Sequence, residues 1–261
     1  MSTYSDLKDL KVVKEDNLLW LSLDNSKMSN AITSDMIDSL ELVLEKAEND
    51  QSISVVILKG EGKHFCAGGD VKAMLEQSGM FAGEPLELGK NYKKFIQRIP
   101  LAMERFQKPL IAMVNGAAIG AGCDLACMCD LRIGSEKSRF GETFAKLGLV
   151  PGDGGTFFLQ RVVGYSKAME MILTGDLYVG EQAKQMGLLT RLVSSEDLES
   201  KTRELAIHVS SLSISAIELT KRAMKMAMKQ DLSSHLEVLS MYQGIAQRSD
   251  DHLQALESFK K

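Results

Sequence analysis

The sequence predicts an α/β fold finished by an all-helical C-terminal region. Three observations carry that expectation. Short apolar runs suited to buried strands recur ahead of turn and helix signals; two of the turns are glycine-rich and about fifty residues apart; and strand signals stop near residue 200. Repeated strand–turn–helix units favour parallel pairing, because a crossover helix brings the chain back to run in the same direction. The expected organisation is a core over residues 1–200 followed by a helical region over 201–261.

Asn17-Leu18-Leu19-Trp20-Leu21-Ser22-Leu23 reads as a strand closed by the turn Asp24-Asn25-Ser26. Residues 34–49 place Met36, Ile37, Leu40, Val43, Leu44 and Ala47 at helical spacing, with Thr33 or Ser34 as N-cap and Asp35 in the first turn. A strand over 53–58 leads into the first glycine turn. Residues 75–100, interrupted by Gly79, Gly83, Pro85 and Gly89, read as an irregular, mobile cover, with a helix from about Lys90 to Phe106. A strand over 110–114, the second glycine turn, a helix over 121–129 and a strand over 131–134 follow. In the tail, Ala216, Leu219, Ala223, Met226 and Ala227 share one helical face, and Leu232, Leu236, Leu239 and Met241 mark another. Such amphipathic segments pack on the body or on a neighbouring subunit.

Composition excludes several classes of function. The chain has 261 residues, 44% hydrophobic and 25% charged, which suits a globular core. A net charge of −4 offers no basic field for nucleic acid. No apolar stretch approaches the roughly 20 residues of a membrane helix. The first residues, with Asp6, Asp9 and Glu15 among lysines, lack a signal core and are too acidic for a transit peptide, so a cytoplasmic protein is expected. Cys66, Cys123, Cys127 and Cys129 do not form a CxxC metal pattern. They read as small buried hydrophobes of a reducing compartment, with no metal or resident cofactor implied. The four histidines are scattered, and no Ser–His–Asp arrangement is evident.

The chemistry lies in the two turns. His64-Phe65-Cys66-Ala67-Gly68-Gly69-Asp70-Val71-Lys72 follows the apolar run 54–58, and Asn115-Gly116-Ala117-Ala118-Ile119-Gly120-Ala121-Gly122-Cys123-Asp124 follows 110–114. A strand, a turn poor in side chains and a helix start together present unpaired backbone N–H groups and positive helix-end potential. Two such turns can aim two amides at one oxygen, the arrangement that holds an oxyanion. The GxxxGxG spacing at 116–122 is not the GxGxxG of a dinucleotide turn.

HFCAGGDVKAM (64–74) and NGAAIGAGCDLACMCDLRI (115–133) resemble the paired signatures of the crotonase family, the enoyl-CoA hydratase/isomerase fold. The likeness continues through FAKLGLVPGDGGTFFLQRVVG (144–164) and LTGDLYVGEQAKQMGLLTRLV (173–193) into the helical tail. The resemblance implies a spiral of β-β-α units and a C-terminal helical region that builds trimers or dimers of trimers. It implies an acyl-CoA substrate, with coenzyme A entering as part of that substrate. It also implies that the amides of Gly69 and Ala121 grip a thioester oxygen as an enolate forms. The coenzyme A contacts it implies are Lys27, Met28, Ala67, Gly68, Asp70 and Lys72. The leading reaction is hydration of a 2-enoyl-CoA, with double-bond isomerisation, including the ring type, as the alternative. A non-catalytic coenzyme A binder is the rival from another class.

Three acids are candidates for moving protons. Asp124 stands where hydratases of the family carry a catalytic Glu, and is one methylene shorter. Their second Glu is replaced here by Phe144. Glu142 and Asp153 are near in sequence, and one or the other is expected to assist Asp124. Otherwise Asp153 would cap the helix starting near Gly155, and Glu142 would be a surface or ion-paired acid.

Overall fold

The computed structural model describes residues 4–258. Strand β1 (Leu10–Glu15) pairs antiparallel with β2 (Leu18–Leu23). Helix α1 (Ser34–Asn49) then crosses to β3 (Val55–Gly60), which lies parallel to β2. The Thr33 hydroxyl accepts the Met36 N–H at 3.1 Å, so the N-cap and the first turn fall where the sequence puts them. The expected stripe of α1, Met36, Ile37, Leu40, Val43, Leu44 and Ala47, is buried. Each such side chain larger than Ala contributes about 1.5–3 kcal/mol of hydrophobic stabilisation.

The expected continuous helix from Lys90 to Phe106 is two helices. After short α2 (Val71–Leu75), helix α3 (Pro85–Lys94) begins at a proline and ends at Phe95, whose backbone is non-helical, and α4 (Arg98–Arg105) restarts beyond it. Pro85 suits the first helical position because that N–H is unpaired in any case. The stretch expected to be irregular is therefore partly helical, but α2 and α3 bury no residue. Strand β4 (Leu110–Val114) is wholly buried and parallel to β3.

Beyond β4 the chain makes β-β-α units. Strand β5 (Ala117–Ile119) starts a second sheet, α5 (Ala121–Met128) follows, and β6 (Leu131–Ser135) returns to the first sheet beside β4. Strand β7 (Arg139–Gly141) pairs parallel with β5. Helices α6 (Gly155–Val163) and α7 (Tyr165–Thr174), strand β8 (Leu177–Val179), helix α8 (Glu181–Met186) and strand β9 (Arg191–Val193) complete the spiral. The sheets are ordered β1-β2-β3-β4-β6-β9 and β5-β7-β8. Strands β5, β7, β8 and β9 span only three residues each, too short for a period-2 signal to register in sequence.

Helix α9 (Leu198–Ser210) packs Leu198, Leu205 and Ala206 against Trp20, Ile57, Ile111 and Ile133 on one face of the large sheet. Helices α10 (Ile214–Ala227), α11 (Leu232–Ala246) and α12 (Asp250–Ser258) extend beyond it. Of the residues 232–246 none is buried, although Leu232, Leu236, Leu239, Met241 and Ile245 are apolar.

Candidate active site

The two glycine turns meet. Cys66 bridges to Ala118, its N–H donating to the Ala117 carbonyl at 2.9 Å while its carbonyl accepts from Ile119 at 3.0 Å. A Cβ on Gly68 would stand 2.6 Å from the Ile119 carbonyl and 3.5 Å from the Ala121 nitrogen, and Gly68 has φ +95°. Position 68 therefore admits only glycine, for space and for conformation. A Cβ on Gly122 would lie 2.0 Å from the Cys66 carbonyl oxygen. Main chain from the first turn thus lies directly on the start of α5.

Gly69 and Ala121 flank this contact. The Gly68 carbonyl accepts the Ile32 N–H at 2.8 Å. Ala121 is the first residue of α5, where no intrahelical acceptor exists. Among the described residues neither the Gly69 nor the Ala121 N–H has a hydrogen-bond partner. A Cβ on Gly69 would meet the Met74 methyl at 2.6 Å, with the Phe81 ring at 3.8 Å, so the first part of the cover lies over this turn. Phe144 stands beside Gly120, its ring 3.7 Å from where a Cβ would be.

Three carboxyls gather next to these amides. Asp124 is fully buried on the first turn of α5. A Cβ on Gly155 would touch its carboxylate oxygens at 2.2 and 2.5 Å, so the loop before α6 closes over it. Glu142 is 1% exposed and Asp153 4%, and neither is the solvated acid that a surface role requires. Asp153 does not cap α6; Gly154, with φ +108°, holds the N-cap position, and no side chain caps that helix. Asp124 lies close enough to both neighbours for each to act on its carboxyl. Yet both oxygens of Asp124, both of Glu142 and Oδ1 of Asp153 have no partner among the described residues. Carboxylates buried this close together repel when all are ionised, which favours the protonated form of at least one.

The electrostatics follow. Burial, then the Asp153 and Glu142 charges, hold the Asp124 carboxyl well above the usual range. Burial is the main cause for its neighbours too, raising Asp153 and pushing Glu142 up to about 7. Such a set holds a proton near neutral pH and exchanges it between members, and its titration belongs to the group.

The residues expected to contact coenzyme A are open to solvent or locally engaged. Lys27, Met28 and Ala67 are exposed. Lys72 is exposed and sits 3.8 Å from Glu76, an i,i+4 pair. Asp70 caps α2, accepting the Ala73 N–H at 3.0 Å. No motif in the sequence gives a role to Met74, Tyr92 or Gln97. The Tyr92 ring lies 2.8 Å from where a Gly152 Cβ would be, and the Gln97 amide donates to the Gly152 carbonyl at 2.9 Å. One segment thus covers the first glycine turn with its first half and braces the Asp153 loop with its second. Nothing in its irregular pattern gives a periodic signal that would have exposed these contacts.

Comparison with known proteins follows the same line. A family model described as enoyl-CoA hydratase/isomerase matches residues 14–261. The chain belongs to this family. It is 32% identical over 255 residues to the short-chain-enoyl-CoA hydratase of Clostridium acetobutylicum, covering 97% of this chain and 95% of that one. It is 31% identical to the 1,2-epoxyphenylacetyl-CoA isomerase of Escherichia coli, covering 94% and 92%. The crystal structure of an enoyl-CoA hydratase from Bacillus anthracis superposes with a TM-score of 0.88 at 29% identity, over 97% of this chain and 96% of that one. The expected crotonase fold, mixed α/β with a helical C-terminal region, is therefore shown.

Proposed function

We propose that this member of the enoyl-CoA hydratase/isomerase family acts on acyl-CoA thioesters, most directly by hydrating a 2-enoyl-CoA to the 3-hydroxyacyl-CoA. One observation carries the reading: two unpartnered main-chain amides adjoin a buried set of three carboxyls. The N–H groups of Gly69 and Ala121 take the thioester oxygen, where negative charge grows. One such donor is typically worth about 2.7–4 kcal/mol of barrier, and main-chain donors reorganise little. Asp124 and one of its neighbours flank the reacting carbons. One carboxylate takes a proton from water as its oxygen bonds to C3. A protonated partner gives a proton to C2, so the net change is addition of H and OH across the double bond.

Phe144 removes the family's second Glu, and Glu142 or Asp153 supplies the carboxyl that hydration then needs. The complete burial of Asp124, with Phe144 alongside Gly120, favours a second reading. In double-bond isomerisation a carboxylate carries a proton from one carbon to another with no water. Coenzyme A enters on the substrate in either case, past the exposed Lys27 and Lys72. The exposed apolar residues of α11, with Leu253 and Leu256 of α12, support a homotrimer or a dimer of trimers as the working assembly, checked by sedimentation. Four buried free cysteines suit the reducing cytoplasm.

Incubation with crotonyl-CoA and with a 3-enoyl-CoA in deuterated water tests the reaction. Hydroxyacyl product supports hydration. Deuterium at C2 or a moved double bond without hydroxyacyl product supports isomerisation. Tight binding of coenzyme A with no turnover of either substrate defeats both, in favour of a non-catalytic binder.

A further inference from the structure

We propose that Arg132 is a positioning residue for this reaction, acting from the far end of α5; the inference rests on the roles just given to Ala121 and Asp124. Arg132 lies on β6 and is only 7% exposed. Its Nη1 donates to the carbonyls of Cys129 at 2.6 Å and Ala126 at 3.5 Å, and its Nε to the Leu188 carbonyl at 2.8 Å. Among the described residues no carboxylate lies within ion-pair distance of it. A buried guanidinium answered only by main-chain oxygens is an expensive feature where a neutral donor would suffice for hydrogen bonding.

The reason lies in what α5 must do. All eight of its residues are buried, so water cannot satisfy the carbonyls at its C-terminal end. The forked guanidinium reaches those carbonyls and ties them to the segment at Leu188, which a single ammonium or amide cannot do with the same fixed geometry. A positive charge also belongs at that end, where the helix dipole is negative. At the opposite end the same rigid helix presents the Ala121 N–H and the Asp124 carboxyl. The helix is only eight residues long and wholly buried, so a shift at its C-terminal end is carried to the other end. A misplacement of 1 Å at the reacting groups can lower a rate by about 100-fold.

The experiment compares wild type, Arg132→Lys and Arg132→Met by steady-state kinetics on the better enoyl-CoA substrate and by amide hydrogen exchange. Arg132→Met is expected to lower kcat by about 100-fold with KM within about twofold of wild type, and Arg132→Lys to recover about a tenth of the rate. Exchange at the Cys123 and Asp124 amides, which donate to the Gly120 carbonyl at 2.8 and 3.0 Å, rises in both variants, while residues 18–23 keep wild-type protection. Should Arg132→Met fail to fold, Arg132→Lys decides alone. Wild-type kcat and wild-type exchange at 123–124 overturn the proposal, as does a global loss of protection with kcat unchanged. If wild type turns over no enoyl-CoA, the functional reading fails, and the exchange pattern still decides whether Arg132 sets the helix.

Discussion

Two groups of ionisable side chains in this molecule, one half-buried and one buried, are built on opposite principles. Where α10 meets the body, the Lys225 ammonium donates to the carbonyls of Glu104 at 2.6 Å, Phe106 at 3.2 Å and Met103 at 3.4 Å. One turn earlier, Lys221 donates to the Lys108 carbonyl at 2.8 Å and to Asp130 at 2.7 Å. These lysines satisfy the carbonyls at and beyond the end of α4, and their own protons are satisfied in return. At the start of α5, by contrast, Asp124, Glu142 and Asp153 are buried against one another with five oxygens unpartnered. In the first group the cost of burial is offset by hydrogen bonds, although burial and then the Lys221 charge push Lys225 down to about 8. The second costs stability, and the physical reason to keep it is chemistry.

The largest expected effect is on the acids. Asp124→Asn should lower turnover by about 10²–10⁴-fold, the usual contribution of a positioned acid–base group. It should not lower the urea midpoint at pH 8. The sign follows from the raised carboxyl values. A folded-state value above the unfolded one means that the folded protein holds more protons, so stability falls as pH climbs. For Glu142 that window runs from its ordinary 4.5 up to about 7, and above it the ionised group carries its full penalty. Full activity in Asp124→Asn would remove that residue from the mechanism. A marked loss of stability would make the acids structural, like the lysines.

A smaller effect separates the members of the set. The acid limb of kcat/KM for wild type is expected near pH 7, where the coupled set titrates, with Glu142 pushed up to about 7. Glu142→Gln removes one neighbouring negative charge, which eases ionisation of Asp124, so the limb moves to lower pH. A pH–rate profile in which the limb stays put would show that Glu142 and Asp124 titrate independently.

The smallest effect is expected at the lysines. Lys225→Met should lower unfolding free energy by about 2 kcal/mol, the range for hydrogen bonds to a charged group, as measured by urea titration. Its kcat should remain that of wild type. A rate loss without a stability loss would erase the contrast between the two groups.

The same contrast explains how much was legible beforehand. Helix α1 could be read to the residue, because its cap, its first-turn acid and its apolar stripe are local features that agree. The two glycine turns were legible because close main-chain approach leaves few residues that fit. The break at Phe95 was not, although Pro100 inside the expected helix marks it: a proline there leaves the Ile96 carbonyl without its donor and crowds it, so a straight helix cannot run through. Nor did sequence choose for Asp153 between helix cap and buried acid. Gly154 takes the cap, and the carboxyl turns inward toward Asp124.

By itself, then, the sequence determined the α/β class and the two turns, because each rests on periodicity, spacing or the absence of a Cβ within one stretch of chain; its quoted motifs carried the family resemblance. The tertiary structure alone decided that residues 124, 142 and 153 share one buried space, and that Arg132 holds the far end of the helix bearing the first of them. Burial and mutual charge are properties of neighbours brought from separate segments, and no local pattern encodes them.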